Sequence, residues 1–372
     1  MAGVLEYNLT GNAPGAGPAQ HEDLSDLLAV VDAKSTPVTS QIPKGRAAGA
    51  TTFHWQADGH VANVTTGTQD GVDVTTTITD GGLTDTTAGR KVLKNNVQIF
   101  RRAGRVSLLT DAVANPAGVR NELAHMVSRL ILTQKRDIEK TVSSKNDAQD
   151  GASGVAFQTK SLLSWLNPAG HNKVVNNALS ASGADCPAKV DSNYAVRAGA
   201  VSTTTKAALN SGGVQDILEA IYGQTGVVRD YDLICDPQVK RAFTGFAETN
   251  VDESGDSATH PAVRIRTLNK EQADRAFVST IDIFTGDFGT LRLHVSNFIE
   301  KSAVVGSSVA LDNTGGCGMI LPMDMLELKY NMTTNVKPMT NNGGGEGRII
   351  TTIAGLAHKN PLSSGLINFT DD

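Results

Sequence analysis

The sequence has few cysteines, no cluster of basic residues and no long apolar run, and each absence excludes something. Cys186, Cys235 and Cys317 stand far apart in 372 residues and form no CxxC or Cys/His pair. Such spacing offers no zinc cage, and an odd, sparse set points to small buried thiols in a reducing compartment. Lys and Arg number 33 against 38 Asp and Glu, a formal net charge of −5. A surface built for duplex phosphates would need clustered cations that release counterions, and none gather here. No apolar stretch approaches the roughly 20 residues of a membrane span, so no membrane partner is expected. The opening Met1-Ala2-Gly3-Val4-Leu5-Glu6 lacks the basic and apolar stretches of a signal peptide. The chain is therefore expected to fold in the cytoplasm.

Groups suited to catalysis are present but not arranged for it. His54 and His60 have no acidic or cysteine partner at coordinating spacing. Ser153, in Gly151-Ala152-Ser153-Gly154, follows polar loop residues and not the strand that a nucleophile elbow requires. Gly343-Gly344-Gly345-Glu346-Gly347 leads into a strand pattern, so it reads as a turn and not as a phosphate cradle at a helix N-terminus. Asp324 and Glu327 lie among methionines on a strand pattern, with no acid/base geometry. No catalytic residue, cofactor or metal site is expected.

What is present is a long chain, 40% hydrophobic, that can bury a sizeable core and suits two or three folding units or one domain with long excursions. Its first hundred residues use little of that capacity. Thr10–Gln20 reads TGNAPGAGPAQ, an extended segment with little to bury. Glu22–Ala33 places Leu24, Leu27, Leu28 and Val31 at helical spacing, which predicts a short amphipathic helix. Pro37 and Pro43 predict extended chain up to Gly49. From 51 to 110, strand-type flanks enclose a Thr/Gly-rich middle, which predicts a two-stranded ribbon with legs at 51–65 and 92–110. Neither the short helix nor the ribbon is stable alone in water, so both need a partner surface.

A strong helical pattern follows at 116–146, opened by Asn115-Pro116 and carried by Val119, Leu123, Val127, Leu130, Ile138 and Val142, with Gln134 interrupting. Beyond it, short elements are expected around Ser161–Leu166 and Ala195–Val201. A helix is expected at Val214–Gln224, a buried strand at Tyr231–Cys235 and a helix at Gln238–Glu248. Asn250–His260 reads as an acidic surface loop. A hairpin of Phe277–Thr285 and Thr290–Asn297 follows, then strands at Gly318–Leu321 and Leu326–Met332 and a final one at Arg348–Leu356. The fold class is α+β.

Several segments in this order resemble the major capsid (major head) proteins of tailed bacteriophages, the Hong Kong 97-type fold, and more narrowly a podophage-like family. They are Thr36-Pro37-Val38-Thr39-Ser40-Gln41-Ile42, Thr51-Thr52-Phe53-His54-Trp55-Gln56, Lys135-Arg136-Asp137-Ile138-Glu139, Asp287-Phe288-Gly289-Thr290-Leu291 and Gly347–Leu356. The resemblance implies an N-terminal arm at 1–50, an extended β-hairpin loop at 51–110 and a peripheral domain at 111–205 whose spine is the 116–146 helix. An axial domain at 206–335 and a return to the peripheral domain at 336–372 would complete it. It implies hexamers and pentamers of an icosahedral shell enclosing double-stranded DNA, with contacts between copies through Leu24, Leu27, Leu28, Val31, Phe53, Trp55, Ile99 and Phe100. A separate scaffolding protein, a portal and a decoration protein are the further partners it implies, in a virion assembled in bacterial cytoplasm. Some members of the fold join a loop Lys to an Asn of another subunit. Lys91, Lys94, Asn95 and Asn96 lie in the second leg, where a solvated Lys is the preferred reading. An encapsulin shell of the same fold, an α+β hydrolase and a tail-tube or decoration protein are the alternatives.

Overall fold

A computed structural model describes residues 35–46, 48–57, 70, 91–112, 121–166, 173–175, 178–180, 195–205, 209–245, 282–299, 316–341 and 343–370. The expected helix at Glu22–Ala33, the Asn115-Pro116 cap, His60, the Asn250–His260 loop and most of the ribbon between its legs lie outside the described residues.

The described chain enters through α1 (Pro37–Gln41), a short helix where extended chain was expected. Pro37 suits a first turn because its missing N–H is one that the helix could not pair. The Thr36 side chain makes no cap. The cap comes instead from Glu139, 101 residues away, whose carboxylate accepts from the N–H groups of Val38 and Thr39 at 2.8 Å each. No local pattern announces a donor set satisfied from that far off.

β1 (Thr52–Ala57) pairs antiparallel with β2 (Lys91–Asn96), Trp55 opposite Leu93, so the ribbon's root is the expected hairpin. Its second leg is shorter than the expected 92–110. The chain breaks at Val97, and β3 (Gln98–Arg105) joins a different, three-stranded sheet, followed by the helix α2 (Leu108–Ala112). Burial explains the break, because Phe100 of β3 is drawn into the interior and its carbonyl accepts from Gln134 Nε2 at 2.8 Å.

α3 (Glu122–Val142) is the long helix, 21 residues or about 32 Å. It stops at Val142 and not at Asn146, where Ser144 Oγ turns back to the Thr141 carbonyl at 2.7 Å. Gln134, the interruption in its apolar pattern, is buried and hydrogen-bonded, which is how a polar group is tolerated there. α4 (Leu162–Trp165) falls where a short element was expected, and a small hairpin of β4 (Lys173–Val175) and β5 (Ala178–Ser180) follows.

The main core is built on a six-stranded sheet. Its members are β6 (Val201–Thr205), β7 (Arg229–Cys235), β8 (Ile283–Gly286), β9 (Gly289–Val295), β10 (Cys317–Leu321) and β13 (Gly365–Thr370), in spatial order β6-β13-β10-β7-β9-β8. Between β6 and β7 runs α5 (Ser211–Thr225), which buries Val214, Ile217, Leu218 and Ile221. After β7 comes α6 (Pro237–Gly245), which buries Val239 and Phe243. Each such apolar side chain contributes roughly 1.5–3 kcal/mol on burial. Cys235 and Cys317 are buried thiols outside any disulfide, as the sparse cysteines suggested, and burial pushes the Cys235 thiol up to about 12. Cys186 lies outside the described residues.

The three-stranded sheet holds β11 (Leu326–Pro338) and β12 (Gly347–His358) beside β3, in the order β11-β12-β3. β12 is not the last strand as expected. β13 follows it and enters the six-stranded sheet between β10 and β6. That sheet therefore combines strands at 201–205, 229–235, 283–286, 289–295, 317–321 and 365–370, so strands from either side of 205/206 and of 335/336 lie in one sheet.

By contact, the chain divides into two compact units, and the division falls inside β3, α3, β11 and β12. One unit includes Arg102–Thr133 and Val336–Ile350, and the other Ser35–Arg101, Gln134–Asn335 and Thr351–Asp372. In the first, Gly345 turns the chain toward β12 with φ +109°, and a Cβ there would collide with the Val106 carbonyl. The glycine run is thus a turn, as its sequence suggested.

Candidate assembly interface

The hairpin root is fixed by its alternation. Phe53, Trp55, Leu93 and Asn95 point one way, and His54, Gln56 and Val92 the other. On the inner side Phe53 stacks on Trp55 with centroids 5.8 Å apart, Trp55 meets Trp165 at 5.6 Å, and Trp165 meets His358 at 6.2 Å. Gly355 of β12 makes room for this stack, because a Cβ there would lie 2.6 Å from the Phe53 ring. His358 is wholly buried, which pulls its pKa down to about 3 and keeps it neutral, with Nε2 2.8 Å from Ser364 Oγ.

Polar bonds tie the root down further. Asn95 Oδ1 accepts from the Lys160 N–H at 2.7 Å, and its Nδ2 donates to the Leu356 and Lys160 carbonyls at 2.5 and 3.2 Å. Asn96 Nδ2 donates to the Gln149 carbonyl at 3.0 Å and to Asp150 Oδ1 at 2.7 Å, while its Oδ1 accepts from Thr52 Oγ1 at 2.9 Å. Both amides are buried and fully occupied, so they hold the root and are not exposed acceptors for a lysine. Beneath them, Lys160 pairs with Asp147 at 2.9 Å and lies over the Trp165 ring. Removing one partner of such a buried pair would leave an uncompensated charge, so it fixes geometry more than it adds stability.

Of the residues expected at contacts between copies, Phe53 and Phe100 are buried within the chain and Trp55 is half-buried. Ile99 is 54% exposed, and Leu24, Leu27, Leu28 and Val31 lie outside the described residues. The structure adds apolar residues on the surface that alternation alone did not single out. They are Val92 on the outer face of the hairpin, Leu108 and Leu109 of α2, and Ile283 on the edge strand β8. Single exposed apolar residues are ordinary, but α2 shows two in succession, with Leu109 77% exposed.

Within the first unit an open cleft of about 470 Å3 runs between the 105–110 segment and the first turns of α3. Val106, Met126 and Leu130 supply its apolar lining, and Arg105 and Arg129 its cations. Among the described residues no group of His, Cys, Asp and Glu is placed to hold a metal ion, and no helix is long and apolar enough to cross a membrane.

A long helix, a hairpin whose root packs on β12 and on the 147–165 segment, and a six-stranded sheet with its helices belong to the Hong Kong 97-type capsid fold, as comparison with solved structures shows. The capsid of a native GTA particle superposes with a TM-score of 0.53 at 10% identity, over 96% of this chain and 97% of that one. A structure of Mycobacterium phage Bobi gives 0.52 at 10% identity, over 100% and 99%. The mature capsid of bacteriophage PhiM1 gives 0.50 at 12% identity, over 98% of each. Identities this low speak for the fold alone. No curated protein matches in sequence. The family itself follows from the sequence: residues 4–371 match the family model of the SU10 major capsid protein, and the chain belongs to that family. It is a phage major capsid protein, a structural subunit of the virion.

Proposed function

We propose that copies of this chain form hexamers and pentamers and close into an icosahedral head around double-stranded DNA. The match to a major capsid family from residue 4 to residue 371 carries this reading. Residues 1–50 act as the N-terminal arm and 51–110 as the extended loop, with 111–205 as the peripheral domain built on α3. Residues 206–335 form the axial domain, its sheet completed by β6 and β13, and 336–372 return toward the periphery. The described chain supports such a division of labour. The loop's root is held by aromatic stacking and saturated amides, so a loop projecting from it would start from a fixed direction.

Contacts between copies use Ile99 and Val92 beside the loop's root and Ile283 on β8, the edge strand of the sheet among the described residues, spread over many sites of modest strength. Trp55 contributes through its half-exposed edge. The protein acts by position and performs no reaction. A separate scaffolding protein guides assembly in the bacterial cytoplasm, a portal occupies one vertex, and a decoration protein is a further partner. The weakly acidic chain contains DNA without adhering to it. Electron microscopy of the purified protein, made alone and with its scaffold, tests the reading. Closed shells with pentameric and hexameric clusters are expected, and a protein that stays monomeric under both conditions would sink it.

A further inference from the structure

Most charges on the six-stranded sheet are matched within the chain. Arg229 pairs with Asp324 at 2.6 Å and Lys240 with Asp282 at 2.7 Å, and Arg292 and His294 lie 3.2 to 3.9 Å from Asp230 and Asp232. The exposed Asp216 and Glu219 of α5 and Arg241 of α6 have no ion-pair partner among the described residues. These unmatched charges are sorted by sign. α5 carries Asp216 and Glu219 and no Lys or Arg, whereas α6 carries Lys240 and Arg241 and no Asp or Glu. Asp216 and Glu219 share the face opposite the buried stripe of Val214, Ile217, Leu218 and Ile221. Arg241 stands two residues from both Val239 and Phe243, which are buried, and so points outward.

Exposed apolar surface accompanies each set. One turn beyond Glu219, Tyr222 meets Phe288 with ring centroids 5.4 Å apart, and the exposed Val227 and Val228 follow. On the other side, Phe243 of α6 packs edge-on to Phe284 of β8 at 6.0 Å, which sets α6 beside the exposed Ile283. We infer that α5 of one copy lies against α6 and β8 of the next. Asp216 and Glu219 then face Arg241, and Tyr222, Val227 and Val228 cover Ile283. The joint belongs to the shell proposed above, and the inference rests on that reading.

Charge decides which surfaces meet. α5 on α5 would bring unpaired carboxylate onto carboxylate, and α6 on α6 would bring guanidinium onto guanidinium, and such like-charge contacts are costly. A joint between two different surfaces of one chain is head-to-tail, and repeated it closes into a ring or runs on as a filament. Pentamers and hexamers are rings, so the joint serves within each of them. A face-to-face two-fold, with α5 on α6 twice over, would match the same charges but stop at a dimer.

The test uses the full chain carrying Gly223→Cys and Gly245→Cys, exposed positions one turn beyond Glu219 and Arg241 where a side chain meets nothing within 4 Å. Particles are treated with a bismaleimide whose reach of about 15 Å covers two helical turns along the axis and one helix spacing across. A ladder ending at pentamer and hexamer on denaturing gels is expected, absent from each single-cysteine variant. No cross-link, or cross-linking that stops at dimers, overturns the inference. Asp216→Lys with Glu219→Lys, or Arg241→Glu alone, should lower particle yield at least roughly ten-fold, because the like-charge contact recurs at every joint of the ring. All three substitutions in one chain should restore the yield, which separates a broken contact from a misfolded chain. A yield indifferent to the single reversals, or not restored by their combination, also overturns the inference. Parent shells beside that result leave the assembly reading standing, whereas a parent that forms no particles fails that reading and this inference with it.

Discussion

Glu139→Ala should loosen the start of the described chain more than any surface change. The carboxylate is buried and accepts two backbone hydrogen bonds, from Val38 and Thr39, at 2.8 Å each. With Pro37 lacking an N–H and Thr36 making no cap, these amides have no other acceptor in α1. A hydrogen bond to a charged partner is worth about 1.5–3 kcal/mol net, so the pair is bounded at about 3–6 kcal/mol. Thr39 is only half-buried, so water takes over part of its bond, and the carboxylate's own desolvation offsets some of the gain. A loss of about 2–4 kcal/mol is therefore expected. Gln is not a rescue, because its NH2 would face one of the two donors. Urea denaturation gives the global loss, and hydrogen exchange at Val38, Thr39 and Ile42 locates it. Ile42 is included because its N–H bonds to the Val38 carbonyl within α1. Faster exchange at these amides and quicker tryptic cleavage at Lys44 and Arg46 are expected. A stability within about 0.5 kcal/mol of the parent, with unchanged exchange at Val38, would refute the capping argument.

Three further predictions rest on separate features. Gly355→Ala puts a Cβ against the Phe53 ring and the Asn96 carbonyl, at 2.6 and 2.9 Å, and should cost about 1–3 kcal/mol, so an unchanged melting temperature would contradict it. His358 is held neutral by burial down to about pH 3, whereas an unfolded chain protonates it near 6.5, so its contribution is complete above that value. As pH falls from there toward 3, stability should drop by up to about 1.4 kcal/mol per unit, and His358→Gln should flatten that slope between about pH 7 and 4; parallel slopes would count against it. Ile99→Asp, on an exposed side chain, should leave the isolated subunit within about 0.5 kcal/mol of the parent while lowering particle yield. Particles in normal number on electron micrographs would remove Ile99 from the contacts.

The elements of this protein were largely written in local pattern, because helix and strand periodicity are properties of neighbours in the chain. α3, α5, β7, the β8–β9 hairpin and β10 follow from apolar spacing and turn residues, and the hairpin root follows from the flanks of the 51–110 segment. The order of these parts was also enough to bring out the capsid resemblance. Local pattern could not show what distant partners do. α1 exists because Glu139 caps it, β3 leaves the ribbon because Phe100 is drawn inward, and β13 is a strand because β6 and β10 flank it. Phe53 and Phe100 read as surface residues on an unpartnered ribbon, and packing against β12 and α3 turned them into core. Patterning decides which residues can be buried. Tertiary structure alone decides against what, and so which apolar residues remain for another copy.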